Sequence, residues 1–513
     1  MATNTENNIN NNVIDNNQKE NLLAFDYKKY VKIQTEHIKE RINLFDNKLY
    51  IEFGGKIFDD FHASRVLPGF KPDSKIKMLT EFIDESEFII AANAKDISSN
   101  KIRSDNGLSY ENEVLKLIKL FKEYGFKTGS IVISLYTPSS SVDEFIVRLE
   151  NLGYPVYKHY EIDGYPYNTD FILSDNGFGK NDFVITTKPL VFVTAPGPGS
   201  GKLATCLSQL YHEFKNGVKA GYAKFETFPV WNLPLKHPVN QAYEAATADL
   251  EDFNMIDFYH TQAHSNEQVF CQAVNYNRDM EAFPVLKKIF EKIYGVSPYS
   301  SPTDMGVNMI GYCIVNEALA IESSKQEVIR RYYDALVKVK MGKFKKSAIQ
   351  KINVIMDELG INILMRKCVE AAELKREKTG KHAFAIQLPD GRIVTGKESK
   401  LLTAASACLI NSLKILAGID HKIPLLSPTI LNPILEMKKT NFKKTLSSVN
   451  LSISEVLLVL AVCSSTNPVA QAACESLKEL KRSQGHSTKM LTQDELNNLS
   501  ALGIQVTTSD LTE

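Results

Sequence analysis

Three glycines and a lysine follow an apolar segment near the middle of the chain. The stretch PLVFVTAPGPGSGK (189–202) places Gly197, Gly199, Gly201 and Lys202 between a strand-like pattern and a helical one. Glycines let backbone N–H groups point at a ligand, the amino end of a helix attracts anions, and lysine adds a positive charge. This spacing is typical of a loop that binds phosphate.

The loop departs at both ends from the standard phosphate loop, G-x-x-x-x-G-K-[ST]. Pro196 stands where the first glycine is required, and Leu203 stands where the magnesium-binding hydroxyl is required. Ser200 and Thr205 are the nearest hydroxyls, although neither is in the usual place. We therefore predict binding of a nucleotide or another phosphorylated small molecule, with or without magnesium, rather than hydrolysis. A strand-to-helix turn without a ligand is the alternative.

A second polar segment, AANAKDISSNKIRSDNG, follows another predicted strand. In parallel α/β sheets, ligands bind beyond the carboxyl ends of the strands. We expect this segment, with one arginine from VNYNRDMEAFP, to complete a positive substrate pocket around the loop, formed by Asn93, Lys95, Asp96, Lys101, Arg103 and Arg278. A solvated loop and, for the arginine, an interdomain hydrogen-bond cluster are the alternatives.

Two histidines four residues apart, His260 and His264 in YHTQAH, have a spacing that suits zinc if the segment is helical. A metalloprotease needs H-E-x-x-H, but Thr261 stands in the place of the glutamate. We predict no metal and expect capping or surface histidines. A metal-dependent hydrolase, with Glu267 as a third ligand, is an alternative function.

Two more polar turns carry groups that suit acid–base or phosphate chemistry. They are FGGKIFDDFHASRVLPGF (53–70) and SPTDMGVNM (301–309), and each is equally consistent with a surface network of charges. The candidate groups in these turns are Asp59, Asp60, His62, Arg65, Thr303, Asp304 and Asn308.

The elements that must position these residues alternate between strand and helix from about residue 74 to 228. This alternation predicts an α/β domain with a parallel sheet at 25–239. An asparagine-rich segment at 1–24 precedes it and is expected to be a disordered tail. Helical patterns predict a helical subdomain at 240–345. An α+β subdomain follows at 346–513, with a β-hairpin at 382–396 around Pro-Asp-Gly.

The composition limits which classes of binding partner and which cellular compartment are expected for this protein. Basic and acidic residues number 60 each, so no general affinity for nucleic acid or membrane is expected. No apolar run approaches the ~20 residues that span a bilayer. Seven scattered cysteines without C-x-x-C spacing favour the cytoplasm. The long helical region predicts a homo-oligomer interface, so a non-catalytic scaffold or regulatory protein is a second alternative function.

Taken together, several stretches resemble one mainly bacterial family of uncharacterised proteins that share a domain of unknown function. They include EFGGKIFDDFHASRVLPGF, VTAPGPGSGKLATCLSQLYHE, AGYAKFETFPVWNLPLKHPVN and LPDGRIVTGK. Some members of that family are labelled ATP-dependent peptidases, but this sequence has no H-E-x-x-H, G-x-S-x-G or standard Walker loop. The resemblance covers residues from about 25 to the end. It implies an architecture of an α/β N-terminal domain with the glycine loop, a helical subdomain and an α/β C-terminal subdomain. It supplies no established activity or catalytic residues that could be transferred to this sequence.

Overall fold

The computed structural model describes residues 23–103, 107–265, 272–441 and 450–509. The chain forms two compact units, one up to Ser324 and one from Lys325 onwards. The predicted tail at 1–24 lies outside the described residues up to position 22, as does the candidate ligand Glu267.

A parallel sheet of six described strands forms the centre of the first unit. Its order is β4-β3-β2-β5-β1-β6, and every neighbouring pair is parallel. This sheet confirms the predicted α/β fold. The strands are β1 (Leu49–Phe53), β2 (Ser86–Asn93), β3 (Thr128–Ser134), β4 (Val156–Lys158), β5 (Leu190–Thr194) and β6 (Gly221–Phe225).

Helices connect the strands and cover the sheet because the central strands are apolar on both faces. Every residue of β2 is buried, and the ring of Phe88 stacks on Phe121 with centroids 3.8 Å apart. The helices before the middle region are Tyr27–Asn43, Phe61–Val66, Ser74–Leu79, Ala94–Ser98, Tyr110–Glu123, Ser140–Asn151, Thr169–Ile172 and Lys202–Lys215.

The order of the strands creates a switch point between two neighbours, β2 and β5. After β2 the chain continues to β3 on one side, whereas after β5 it continues to β6 on the other side. The connections that leave these two strands therefore diverge and open a crevice at the carboxyl edge. Ligands of open α/β sheets bind in such crevices.

The middle region is mainly helical, but it also holds a two-stranded antiparallel ribbon of β7 (Asn254–Ile256) and β8 (Val274–Tyr276). The helical pattern that predicts a subdomain at 240–345 does not hold at Val274–Tyr276, which form a strand. Helical periodicity cannot reveal a strand partner that lies 20 residues earlier in the chain. The helices here are Pro238–Ala246, Phe258–Ala263, Asn277–Tyr294, Pro302–Met305 and Glu317–Lys340.

The second unit is α+β, as predicted, with a mixed sheet in the order β10-β9-β11-β12. The predicted hairpin at 382–396 is confirmed, because β9 (Ala383–Gln387) pairs antiparallel with β10 (Ile393–Lys397). The remaining strands are β11 (Gln484–Ser487) and β12 (Gln505–Thr508). The helices are Lys346–Glu358, Lys367–Thr379, Ala404–Leu416, Pro428–Asn441, Ile453–Ser464, Pro468–Glu475 and Gln493–Ala501.

Within the described residues, no helix combines the length and the apolar character that crossing a bilayer would require.

Candidate functional site

The glycine loop joins β5 to the helix Lys202–Lys215 at the switch point of the sheet. Gly201 precedes this 14-residue helix with left-handed backbone angles (φ 83°, ψ 21°), and no side chain caps the helix. Gly199 is also left-handed, at φ 74°. Two left-handed residues this close together turn the chain sharply, which lets the helix begin at the edge of the crevice.

Side chains from the neighbouring strands hold the carbonyl oxygens of the loop. The Asn93 amide at the end of β2 donates to the Gly199 oxygen (3.1 Å), and the Ser134 hydroxyl at the end of β3 donates to the Ser200 oxygen (3.0 Å). The Arg103 guanidinium donates to the Pro196 oxygen. These contacts fix the peptide planes of the loop; the sequence had predicted Asn93 and Arg103 near the loop, but not Ser134.

The backbone amide groups of the same loop have no acceptor in the part of the chain that the structure describes. None of the six backbone N–H groups from Gly199 to Ala204 donates a hydrogen bond to any residue that the structure describes. The first intrahelical bond of this turn is from the Thr205 N–H to the Gly201 oxygen. Backbone N–H groups are obligatory donors, so a run of six requires water or a ligand.

The predicted substrate-pocket residues divide into two groups. Asn93 and Arg103 reach the glycine loop, as described above, but the positive charge of Arg103 is paired with Glu113 (3.3 Å). Lys101 pairs with Asp96 at 3.0 Å, and Lys95 is exposed. The loop after β2 thus supplies structural contacts and only a partly neutralised positive charge.

Arg278 lies away from the loop. Its Nε contacts an Asp252 carboxylate oxygen at 2.5 Å, and its Nη2 donates to the Leu250 oxygen.

The two predicted hydroxyls, on Ser200 and Thr205, are both buried. The Ser200 hydroxyl donates to the Gly197 oxygen, and the Thr205 hydroxyl has no hydrogen-bond partner among the described residues.

The two histidines do come together, with ring centroids 4.1 Å apart, at the end of the helix Phe258–Ala263. Asp304 joins them: its carboxylate lies 3.4 Å from His260 Nδ1. One ligand atom from each of the three lies within 4.8 Å of the others. Contact with His260 and Ser300 lowers the pKa of Asp304 to about 2, although burial opposes this shift. The trio has the donor types that bind zinc or other divalent transition metals.

The turn at 53–70 is largely structural. One Asp60 oxygen accepts from the Ala63 N–H and caps the helix Phe61–Val66, and the other contacts the buried Lys75 Nζ at 2.8 Å. Burial raises the pKa of Asp60, but Lys75 outweighs this effect and the net shift is downward. This aspartate is therefore a fixed anion of the core.

A group of charged residues that sequence analysis missed lies at the end of β6. The Lys224 ammonium contacts both oxygens of Asp279 at 2.7 Å and Glu226 at 3.1 Å. The sequence signal was the pair Lys224-x-Glu226 at a strand end, where alternation puts both side chains on one face. Their partner, 55 positions away from Lys224, could not be located from the sequence.

Comparison with known proteins supplies the family. A family model described as "Domain of unknown function DUF1846, N-terminal" matches residues 23–360, and one described as "Domain of unknown function DUF1846, C-terminal" matches residues 364–511. A UPF0371 protein of Streptococcus pneumoniae (strain CGSP14) is 51% identical over 484 residues, which cover 94% of this chain and 97% of that protein. A UPF0371 protein of Streptococcus thermophilus gives the same values. These matches confirm the family resemblance seen in the sequence. The chain belongs to the DUF1846 family, together with the streptococcal UPF0371 proteins.

Proposed function

We propose that this protein binds the phosphate group of a nucleotide or another phosphorylated small molecule on the loop Gly199–Lys202. The observation that carries the proposal is the run of six backbone N–H groups without described acceptors, from Gly199 to Ala204. A phosphate offers several acceptor oxygens and a negative charge, which match convergent N–H donors at the positive end of a helix.

Lys202 strengthens this match. It is the first residue of the helix, and its side chain has no ion-pair partner among the described residues. By contrast, the ammonium of Lys101 is already paired with a carboxylate. Lys202 is therefore the cation best able to contribute to an anion on the loop.

Binding is better supported than hydrolysis. The two hydroxyls nearest the loop, on Ser200 and Thr205, are fully buried. In a standard phosphate loop, an accessible hydroxyl holds the magnesium ion that assists transfer. A ligand here would therefore rest on backbone amides and Lys202. The affinity for inorganic phosphate is expected to be the same in magnesium and in EDTA.

The direct test is calorimetric titration of the purified protein with inorganic phosphate, nucleoside phosphates and sugar phosphates. We expect at least one to bind, and Lys202→Ala to weaken it about tenfold or more, because a charge-assisted hydrogen bond contributes about 1.5–3 kcal/mol. Lys288→Ala removes an exposed lysine from the helix Asn277–Tyr294 and serves as the charge-matched control.

Two results would contradict the proposal. One is unchanged affinity of every phosphorylated ligand in Lys202→Ala. The other is a complete lack of binding, which thermal unfolding would also reveal, because a ligand at 100 times its Kd stabilises by about 2.7 kcal/mol.

The homo-oligomer and the cytoplasmic location stay predictions. Light scattering on the purified protein tests the homo-oligomer prediction. A mass of 57.6 kDa would indicate a monomer. A multiple of that mass in a protein that binds none of the phosphorylated ligands would favour the scaffold alternative.

A further inference from the structure

A small cleft of about 40 Å³ lies beside β6, and none of its lining residues belongs to the glycine loop. Its polar lining consists mainly of Lys224, Glu226, Asn275 and Asp279, and aromatic rings complete its wall. A cavity of this size accommodates a water molecule or one hydroxyl group of a larger ligand.

The charges in the cleft are arranged around one ammonium. Lys224 Nζ contacts both Asp279 oxygens at 2.7 Å and one Glu226 oxygen at 3.1 Å. Although burial opposes it, attraction to these carboxylates and to Glu52 raises the pKa of Lys224, so the ammonium remains charged. An anion would be repelled by these carboxylates, and the Lys224 ammonium already occupies the position between Asp279 and Glu226 that a second cation would take.

Glu226 differs from its partners in its ionisation. Burial and the negative charge of Asp279 together raise the pKa of Glu226 to about 7, although Lys224 opposes this shift. About a quarter of this side chain is accessible, so a ligand in the cleft can reach it. The ionisable groups that face Glu226 are Lys224, Asp279, Glu52, Tyr243 and Tyr276.

Asn275 adds a hydrogen-bond donor with no described partner. Its side-chain oxygen accepts from the Tyr276 N–H at 2.8 Å, which fixes the amide, while its Nδ2 donates to none of the described residues. The residue is 8% exposed and lines the cleft. An amide N–H group at the wall of a cleft is available to a ligand, and a ligand oxygen is the acceptor that it fits.

We infer that the cleft binds a hydroxyl group of a neutral polyhydroxylated molecule, with Glu226 as the acceptor of its hydrogen bond. The bound hydroxyl donates to the Glu226 carboxylate and accepts from Asn275. Neutral hydroxyls both donate and accept, which suits a lining whose carboxylates repel anions and already hold one ammonium group.

The test uses the full chain and four neutral probes: glycerol, D-ribose, D-glucose and myo-inositol. Saturation-transfer NMR detects binding, and titrations from pH 5.5 to 8.5 measure affinity. We expect at least one probe to bind about tenfold more tightly above pH 7 than below pH 6, because the ionised carboxylate is the better acceptor. Glu226→Gln is expected to abolish this pH dependence.

Two further variants separate an effect of Glu226 ionisation from a loss of shape. Asp279→Asn removes a negative neighbour, so the midpoint of the pH dependence should move to lower pH. Asn275→Ala should weaken binding at every pH and leave the midpoint in place. A variant that merely damaged the fold would produce neither pattern.

The inference is overturned if no probe binds, or if Glu226→Gln keeps the pH midpoint of the parent. It is also overturned if 1,5-diaminopentane or acetate binds in the cleft in preference to the neutral probes. Lys202→Ala should leave probe binding unchanged, so this inference and the phosphate proposal fail independently.

Discussion

At the scale of single residues, burial decides how ionisable side chains behave in this protein. His159 follows β4 and is only 4% exposed, and its Nε2 donates to the Asp182 oxygen at 3.1 Å. Burial lowers its pKa to about 4, while the contact with Asp182 opposes that shift. The imidazole is therefore neutral in the folded protein at neutral pH.

This histidine predicts an acid-sensitive stability. Because its folded pKa lies below the usual value of about 6.5, the unfolded chain binds more protons between these two values. The contribution of His159 to the free energy of unfolding is complete above pH 6.5. It falls by about 3 kcal/mol as the pH falls towards 4. Urea unfolding at pH 7.5 and 4.5 should show a smaller loss in His159→Gln than in the parent.

His421→Gln, at an exposed position, is the matched control and should lose as much stability as the parent. An equal loss in His159→Gln and in the parent would contradict this account of His159.

At the scale of elements, the glycine loop shows how backbone geometry and close packing act separately. Gly199 and Gly201 have similar positive φ angles, 74° and 83°. A Cβ on Gly199 would meet nothing within 4 Å, whereas one on Gly201 would lie 2.8 Å from the Ser134 side chain. The two positions therefore share the conformational cost of an added methyl group but differ in steric cost.

This pair gives a matched prediction of stability. Gly199→Ala should destabilise by about 1 kcal/mol, the usual cost of a left-handed alanine. Gly201→Ala should cost more, about 2–4 kcal/mol, because the strand β3 must also move. Chemical unfolding measures both. Equal losses would mean that Ser134 does not limit the approach of the loop.

A second element-scale feature lies on the helix Glu317–Lys340, where one buried carboxylate holds two arginines. The Glu327 side chain has no exposed surface and accepts from Arg330 at 2.6 Å and Arg331 at 2.8 Å. Spacings of three and four residues bring these side chains onto one face of the helix. The carboxylate therefore stabilises two cations that are largely removed from water.

Removing this charge should be costly. Glu327→Gln is expected to lower the free energy of unfolding by about 3–5 kcal/mol, because it removes the carboxylate that contacts two buried guanidinium groups. Glu370→Gln, at an exposed position on the helix Lys367–Thr379, is the control and should change stability by less than about 0.5 kcal/mol. Equal changes in the free energy of unfolding for the two variants would show that the charge of Glu327 does not stabilise the fold.

At the scale of the whole molecule, the compact units and the family segments divide the chain at different places. Along the chain, the boundary between the compact units falls between Ser324 and Lys325. The boundary between the two family models falls between residues 360 and 364. Within the second unit, the Tyr333 ring lies 5.1 Å from the His486 ring, and Gln326 donates to the Met365 oxygen. Residues 325–360 thus pack on the C-terminal sheet and helices.

This division predicts which fragment folds. Residues 325–513 should unfold cooperatively on heating, because they keep these contacts. Residues 364–513 should be less stable and more sensitive to protease, because Leu491 and Val506 lose the cover of Tyr333 and Val337 in a shared cavity. Circular dichroism and limited proteolysis compare the two fragments. Equal melting temperatures would show that the shorter family segment is the folding unit.

Much of the fold could be predicted because local patterns fix local structure. The alternation of strand and helix predicted the parallel sheet, and Asp390-Gly391 predicted the hairpin, where Gly391 has φ 88°. The ribbon β7–β8 was missed because a three-residue strand carries too little pattern. The strand order was also beyond local patterns, and it is the order that places β2 beside β5.

For the candidate sites, the sequence alone determined the glycine loop, its helix and Lys202, because glycine spacing and helix position are properties of one short segment. Only the tertiary structure decided which groups surround it. In the fold, Asn93 and Arg103 donate hydrogen bonds to the loop carbonyls. Arg278 forms an ion pair with Asp252, and Lys224 forms ion pairs with Glu226 and Asp279. The physical reason is that charge pairing and burial depend on distances in space, and residues 55 positions apart share no local pattern.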